Sequence, residues 1–235
     1  MLAQLMNELK SLANEEEAKK SRRFFKTGKG EYGEGDIFLG IKNPVQREIA
    51  KKYYPLSFDD LQVLLDSKIH EHRLIALIIL VNKYKKSRKN KVEKMRIFQF
   101  YLKNTQRINN WDLVDLSAPG IVGDFSANEG NEMIRHLAKS ESLWERRIAI
   151  ISTYAFIRRG NLGETLAVAD MLINDEHDLI HKAVGWMLRE VGKKNQNVLE
   201  LFLSSRYKEM PRTMLRYAIE KFEEDKRKKY LKGEI

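Results

Sequence analysis

Apolar residues recur along this chain at intervals of three and four, the spacing that keeps them on one face of an α-helix. Leu2, Leu5, Met6, Leu9 and Leu12 set the pattern at the start. No stretch of strand length alternates apolar with polar residues, so the periodicity predicts an all-α chain. The pattern breaks at TGKGEYGEGD (27–36), APGIVGD (118–124) and RRGNLGE (158–164), which read as loops because glycine, proline and asparagine punctuate regular structure. The four prolines, Pro44, Pro55, Pro119 and Pro211, sit at predicted helix starts or turns.

A weak internal repeat lies over this pattern. HRLIALIILVNKY, WERRIAIISTYAF, IHKAVGWMLREVG and PRTMLRYAIEKF each join a basic start to an apolar helix. Arg147 and Lys182 hold equivalent places 35 residues apart, and Trp186 aligns with Tyr217 after a shorter step of 31. Arg73 precedes Arg146 by 73 residues, room for one further unit around Trp111. The period suits paired helices of the HEAT or tetratricopeptide type, without the tetratricopeptide signature. The predicted architecture is a curved solenoid of antiparallel helix pairs (HEAT-like repeats, an α-α superhelix). The second helix of each pair then lines a concave face. We expect one domain over 1–235, with N-terminal helices and a glycine-rich loop over 1–40 and a basic tail over 226–235.

Charge changes the picture next. Forty-three Lys and Arg against 33 Asp and Glu leave a formal charge of +10, and 43% hydrophobic residues supply a core. A folded, strongly basic chain implies a polyanionic partner, nucleic acid first and an anionic membrane surface second. Cations at helix starts oppose the helix dipole, so their recurrence points to a bound anion, and a stripe of them on a concave face suits a duplex backbone. The runs NKYKKSRKNKVEKMR (82–96) and KRKKYLK (226–232) are equally compatible with solvated faces. With no cysteine, disulfides and thiolate metal sites are excluded. No signal peptide or membrane span is evident, and the expectation is a soluble cytoplasmic monomer, nucleoid-associated when bound to DNA.

Candidate chemistry centres on three tryptophans, Trp111, Trp144 and Trp186. NNWDLVDLSAPGIVGDF places Trp111 and Asp115 at i and i+4, on one helix face. Indole faces attract a cation by up to about 2 kcal/mol when desolvated, and a carboxylate adds a Coulomb attraction. Two core tryptophans and an ordinary helix carboxylate would give the same residues.

The segments GIKNPVQREIAKKY, NNWDLVDLSAPGIVGDF, LWERRIAI and IHKAVGWMLRE, in this order, resemble those of the DNA alkylation repair enzymes, the AlkD-type DNA glycosylases with HEAT-like repeats. The resemblance runs from about Phe24 to about Arg189. It implies hydrolysis of the bond between deoxyribose and a cationic alkylpurine such as 3-methyladenine or 7-methylguanine, in duplex DNA and without a cofactor. It implies that Trp111, Asp115 and Trp186 form the catalytic cluster and that Arg147 contacts phosphate; beside it, Arg146 and Lys182 at the basic helix starts, and Lys42, are expected to help hold the DNA backbone. It also implies an open concave face rather than a flipped-base pocket. Two positions depart from the best-studied relatives: Lys42 stands where they have Gln after Gly-Ile, and Leu179 where they have an aromatic residue. A cationic base leaves without a protonating acid, so one carboxylate suffices to stabilise the sugar cation and orient water. Because some relatives of the fold bind DNA without clear glycosylase activity, two alternatives stand: a non-catalytic solenoid for damaged or branched DNA, and a protein-interaction scaffold.

Three lesser signals read as structural. Gly28, Gly30 and Gly33 spell GxGxxG outside any strand–helix context, which indicates a mobile loop. Phe24 and Phe25 before it read as core. His177, Asp178 and His181 imitate a metalloprotease pair without a third ligand, and His70 and His72 around Glu71 are no better as a metal site.

Overall fold

The computed structural model describes all residues, 1–235, and contains sixteen α-helices and no strand. The chain divides into two compact units, Met1–Ser117 and Ala118–Ile235. No helix is long and apolar enough to cross a membrane.

The first unit holds α1 (Leu2–Ser11), α2 (Glu15–Phe24), α3 (Asn43–Lys52), α4 (Phe58–Leu65), α5 (His70–Lys86), α6 (Lys91–Lys103) and α7 (Trp111–Ser117). The opening stripe lands as expected on α1, where Leu5 and Leu9 are fully buried. Helix α2 starts where the Asn14 side chain accepts from the Glu17 N–H, and carries three glutamates in its first turn and two arginines in its last. Helix α5 is buried at every position from His70 to Val81. A helix buried on every side belongs at the centre of its layer, and α3, α4, α6 and α7 all pack on it. The glycine-rich stretch 27–36 is a loop, as its composition predicts.

The second unit runs through α8 (Asp124–Glu129), α9 (Glu132–Ala138), α10 (Leu143–Ser152), α11 (Tyr154–Arg158), α12 (Gly163–Met171), α13 (Asp178–Lys194), α14 (Gln196–Ser204), α15 (Arg212–Ala218) and α16 (Glu224–Lys232). Here α13 is the hub, touching α10, α12, α14 and α15. Gly185 permits the α13–α15 approach, since a Cβ there would sit 2.5 Å from both the Met214 carbonyl oxygen and Tyr217 Cβ. Segment 118–124, read from its glycines and proline as a loop, is helical instead. Pro119–Gly123 forms a π-helical turn closed by Gly123 N–H donating to the Ala118 carbonyl at 2.9 Å, and runs straight into α8. Proline is harmless at a helical start, where its missing N–H is not needed, and Gly123 serves contact with the Ser152 carbonyl rather than a turn. The basic stretch 226–232 is no loose tail. It makes most of α16, docked through buried Tyr230 against Tyr207 and Phe222.

The internal repeat has a structural counterpart at three helix entries. Ser67, Ser140 and Asp175 each accept, through the side chain, the backbone N–H two residues on, at 3.1, 3.1 and 2.9 Å. Such side-chain turns compete with helix and so mark its start. Six residues after each, a basic side chain reaches back to the same residue's carbonyl: Arg73 to Ser67, Arg146 to Ser140 and His181 to Asp175. The 35-residue spacing of Arg146 and His181 is the register that the sequence gives to Arg147 and Lys182.

Candidate active site

Helix α7 carries the expected pair in the first unit. Trp111 opens it and Asp115 lies one turn on, both half-buried. The indole packs face-on against Phe25, with ring centres 5.2 Å apart, and edge-on against Phe24 at 5.6 Å, and its N–H donates to the Tyr32 hydroxyl at 3.2 Å. Tyr32 comes from the glycine-rich loop. Phe24, read as core, is instead 65% exposed, because α2 ends there and leaves the ring at the rim of the indole cluster. Asp115 lies close enough to Tyr101 to act on its phenol. Burial pushes that phenol above its ordinary range, a hydrogen bond with Ser117 opposes the shift, and the Asp115 charge adds to it.

Behind the indole lies a buried polar chain that sequence reasoning missed. His70 meets Asp112 through Nε2 at 2.8 Å and Asp36 through Nδ1 at 3.3 Å, and Asp36 also pairs with Arg73 at 2.7 Å. The imidazole stacks on Phe38 at 4.6 Å and leans on Phe25 at 5.0 Å. Burial alone would push its pKa down, but hydrogen bonds to Asp112 and Asp36 lift it from 6.5 to about 9. Burial would raise the Asp36 carboxyl, yet the His70 hydrogen bond and the Arg73 charge hold it below its ordinary value. The only local hint was an aspartate beside Trp111; its partners lie 42 and 76 positions back along the chain.

This arrangement makes stability depend on pH. The folded pKa of His70 exceeds the unfolded value, so its contribution is complete below about pH 6.5 and disappears as pH rises through about 9. A shift of this size corresponds to roughly 3 kcal/mol, or about 6–12 °C in melting temperature for a protein of this length. Thermal melts from pH 7 to 9.5 should fall steeply for the wild type. His70→Gln should start lower and show a flatter slope; equal slopes would remove His70 as the origin.

Lys42, the remaining candidate in this unit, is exposed at the entry of α3. Its approach is fixed by Glu71, a buried carboxylate that accepts the N–H groups of Leu39, Gly40 and Ile41 at 3.0, 2.8 and 3.4 Å. Gly40 takes φ +79° in this turn and lies where a Cβ would be 2.3 Å from the Asn14 carbonyl oxygen, so only glycine fits. The Gln46 side chain closes the segment by donating to the Ile41 carbonyl at 2.7 Å.

In the second unit the basic candidates split into two kinds. Arg146 is turned inward as part of its helix entry and pairs with Asp175 at 2.6 Å. Arg147 is buried, 5% exposed, and donates to the Leu179 carbonyl at 2.5 Å, which ties α10 to the first turn of α13. Lys182 reaches solvent from α13 and pairs with Asp178 at 2.7 Å. Trp186 follows Lys182 by one turn and is half-buried. The supposed metal pair has structural work: His177 caps α13 by accepting the Leu179 N–H at 3.1 Å, and His181 holds the Asp175 carbonyl. A cleft of about 440 Å³ lies beside Lys182, lined also by Thr213, Arg216 and Tyr217 of α15 and by Arg227 of α16.

No curated protein matches the chain. Among solved structures it is similar to a chain described as a predicted DNA alkylation repair enzyme from Enterococcus faecalis, at 17% identity and a TM-score of 0.68, covering 90% of this chain and 97% of that one. At that identity the likeness speaks for the fold. The family model for the DNA alkylation repair enzymes matches residues 5–222, nearly the whole length, and the chain therefore belongs to the DNA alkylation repair enzyme family.

Proposed function

We propose that this protein is a DNA glycosylase that hydrolyses the N-glycosidic bond of cationic alkylated purines, 3-methyladenine and 7-methylguanine among them, in duplex DNA. The observation that carries this reading is the α7 pair, an indole face backed by Phe25 with a carboxylate one turn away. An alkylated purine already bears a positive charge and leaves as a neutral base, so the barrier is the build-up of oxocarbenium character on the sugar. The Asp115 carboxylate opposes that charge and orients the attacking water, while the Trp111 face adds cation–π attraction. Trp186 enters through the resemblance of its segment to the family's and offers a second indole of the same kind. The duplex backbone is held by cations of HEAT-like repeats. Lys42 and Lys182 reach solvent for phosphate contact, whereas Arg146 and Arg147, turned inward, add positive potential and hold α13 in place.

The test is to incubate the protein with methylated duplex and measure free 3-methyladenine and 7-methylguanine. Release above the spontaneous rate is expected. Salt-dependent duplex binding without release would replace this reading with a non-catalytic DNA binder. Absence of binding at low salt would leave a scaffold.

A further inference from the structure

We infer that His70 is a positioning residue for Trp111, clamping the first turn of α7 and the aromatic floor beneath the indole with one doubly bonded imidazolium. The inference rests on the glycosylase reading for its kinetic consequence, but not for its geometry.

Both ring nitrogens of His70 face carboxylate oxygens, of Asp112 on α7 and Asp36 on the loop before α3. An ionised carboxylate only accepts hydrogen bonds, so each nitrogen must carry a proton. The charged groups facing the ring are Asp112, Asp36 and, from its own helix, Arg73 bound to Asp36. Its base is rigid: Ile37 N–H donates to the Lys68 carbonyl at 3.0 Å and His70 N–H to the Ile37 carbonyl at 2.8 Å, pinning Asp36 beside the start of α5. From this base His70 acts twice. Its Nε2 holds Asp112, the residue immediately after Trp111. Its ring leans on Phe25, which in turn stacks on both Phe38 and the Trp111 indole. The aromatic face offered to a substrate therefore takes its height and tilt from a side chain that never touches substrate. Deprotonation removes one of the two carboxylate contacts and frees the turn, in the alkaline range where the ring loses its proton.

The experiment compares wild type, His70→Gln and Asp112→Asn at pH values where melting curves show each to be folded. Single-turnover release of 3-methyladenine from methylated duplex is measured from pH 6 to 9.5, with the duplex Kd alongside. For the wild type, release should decline along a one-proton edge near pH 9. Asp112→Asn, which keeps a hydrogen-bond acceptor without the charge, should move that edge down by at least one pH unit. His70→Gln should slow release at least tenfold at pH 7 and abolish the edge, while the Kd changes less than threefold. An unmoved edge in Asp112→Asn, or wild-type release by folded His70→Gln, overturns the inference. A second readout needs no catalysis. In a Trp144→Phe, Trp186→Phe background, where Trp111 is the only indole, its emission and iodide quenching should titrate near pH 9, and His70→Gln should remove that titration. If the wild type releases no base while Trp111 still titrates, the glycosylase reading fails and the positioning stands. If Trp111 emission is indifferent to His70, the positioning fails whatever the activity.

Discussion

Asp115→Asn is expected to reduce release of alkylated purines by 100-fold or more while leaving the fold and duplex affinity unchanged. Asparagine keeps the size of the side chain, so the packing around α7 survives. On the glycosylase reading, what goes is the negative charge proposed to oppose the sugar cation and the basic oxygen proposed to orient water. Removal of one preorganised electrostatic partner of a transition state costs on the order of 10²–10³ in rate, about 3–4 kcal/mol. Single-turnover release checks the first claim, and circular dichroism with a duplex titration checks the second. Release within threefold of wild type would dismiss the proposed role of Asp115. The effect should appear in the chemical step rather than in binding, because the carboxylate repels phosphates and attracts charge that exists only as the bond breaks.

The second large effect is one of stability. Gly185→Val should destabilise the second unit by about 3 kcal/mol, through overpacking against backbone that cannot swing away. The added atoms meet the Met214 carbonyl and Tyr217 Cβ, so α15 has to withdraw from α13 as a body. A loss of that size lowers the melting temperature by about 6–12 °C, and weaker duplex binding should accompany it, since Gly185 lies on the helix that carries Lys182 and Trp186. Gly192→Ala on the same helix is the control. There the close neighbour is the terminal methyl of Leu199, 2.6 Å away, and a rotamer change relieves it. The alanine variant should melt within a few degrees of wild type; an equal drop in both would show that α13 tolerates no side chain at either place for reasons other than the α15 contact.

Much of the fold was legible because helices announce themselves locally. The stripe of α1, the apolar run of α5 and the 35-residue register between Arg147 and Lys182 are all periodicities, and the helices carrying them fall where the period puts them. The spacing of Trp111 and Asp115 was legible for the same reason. Segment 118–124 was not, because Pro119 and Gly123 carry the composition of a turn while doing the work of a helix start and a close contact. The helix-start cations showed their recurrence but not their direction: Arg73 and Arg146 turn back to carbonyls and aspartates, which no charge count reveals. The His70 clamp was invisible for a different reason. Asp36, His70 and Asp112 meet only through tertiary structure, and each residue taken singly is ordinary.

The three matched helix entries also mark where this chain can be cut and extended. Each begins with its own side-chain turn at Ser67, Ser140 or Asp175 and is locked from six residues downstream, so a module starting at such a residue brings its own fastening. Asp175 has a second duty, as partner of Arg146 in the preceding module. A duplicated copy of residues 140–174 inserted ahead of Asp175 would place Ser140 where the first copy's arginine looks for an acid. The lengthened protein would therefore need aspartate at that junction to keep the ion pair between consecutive modules.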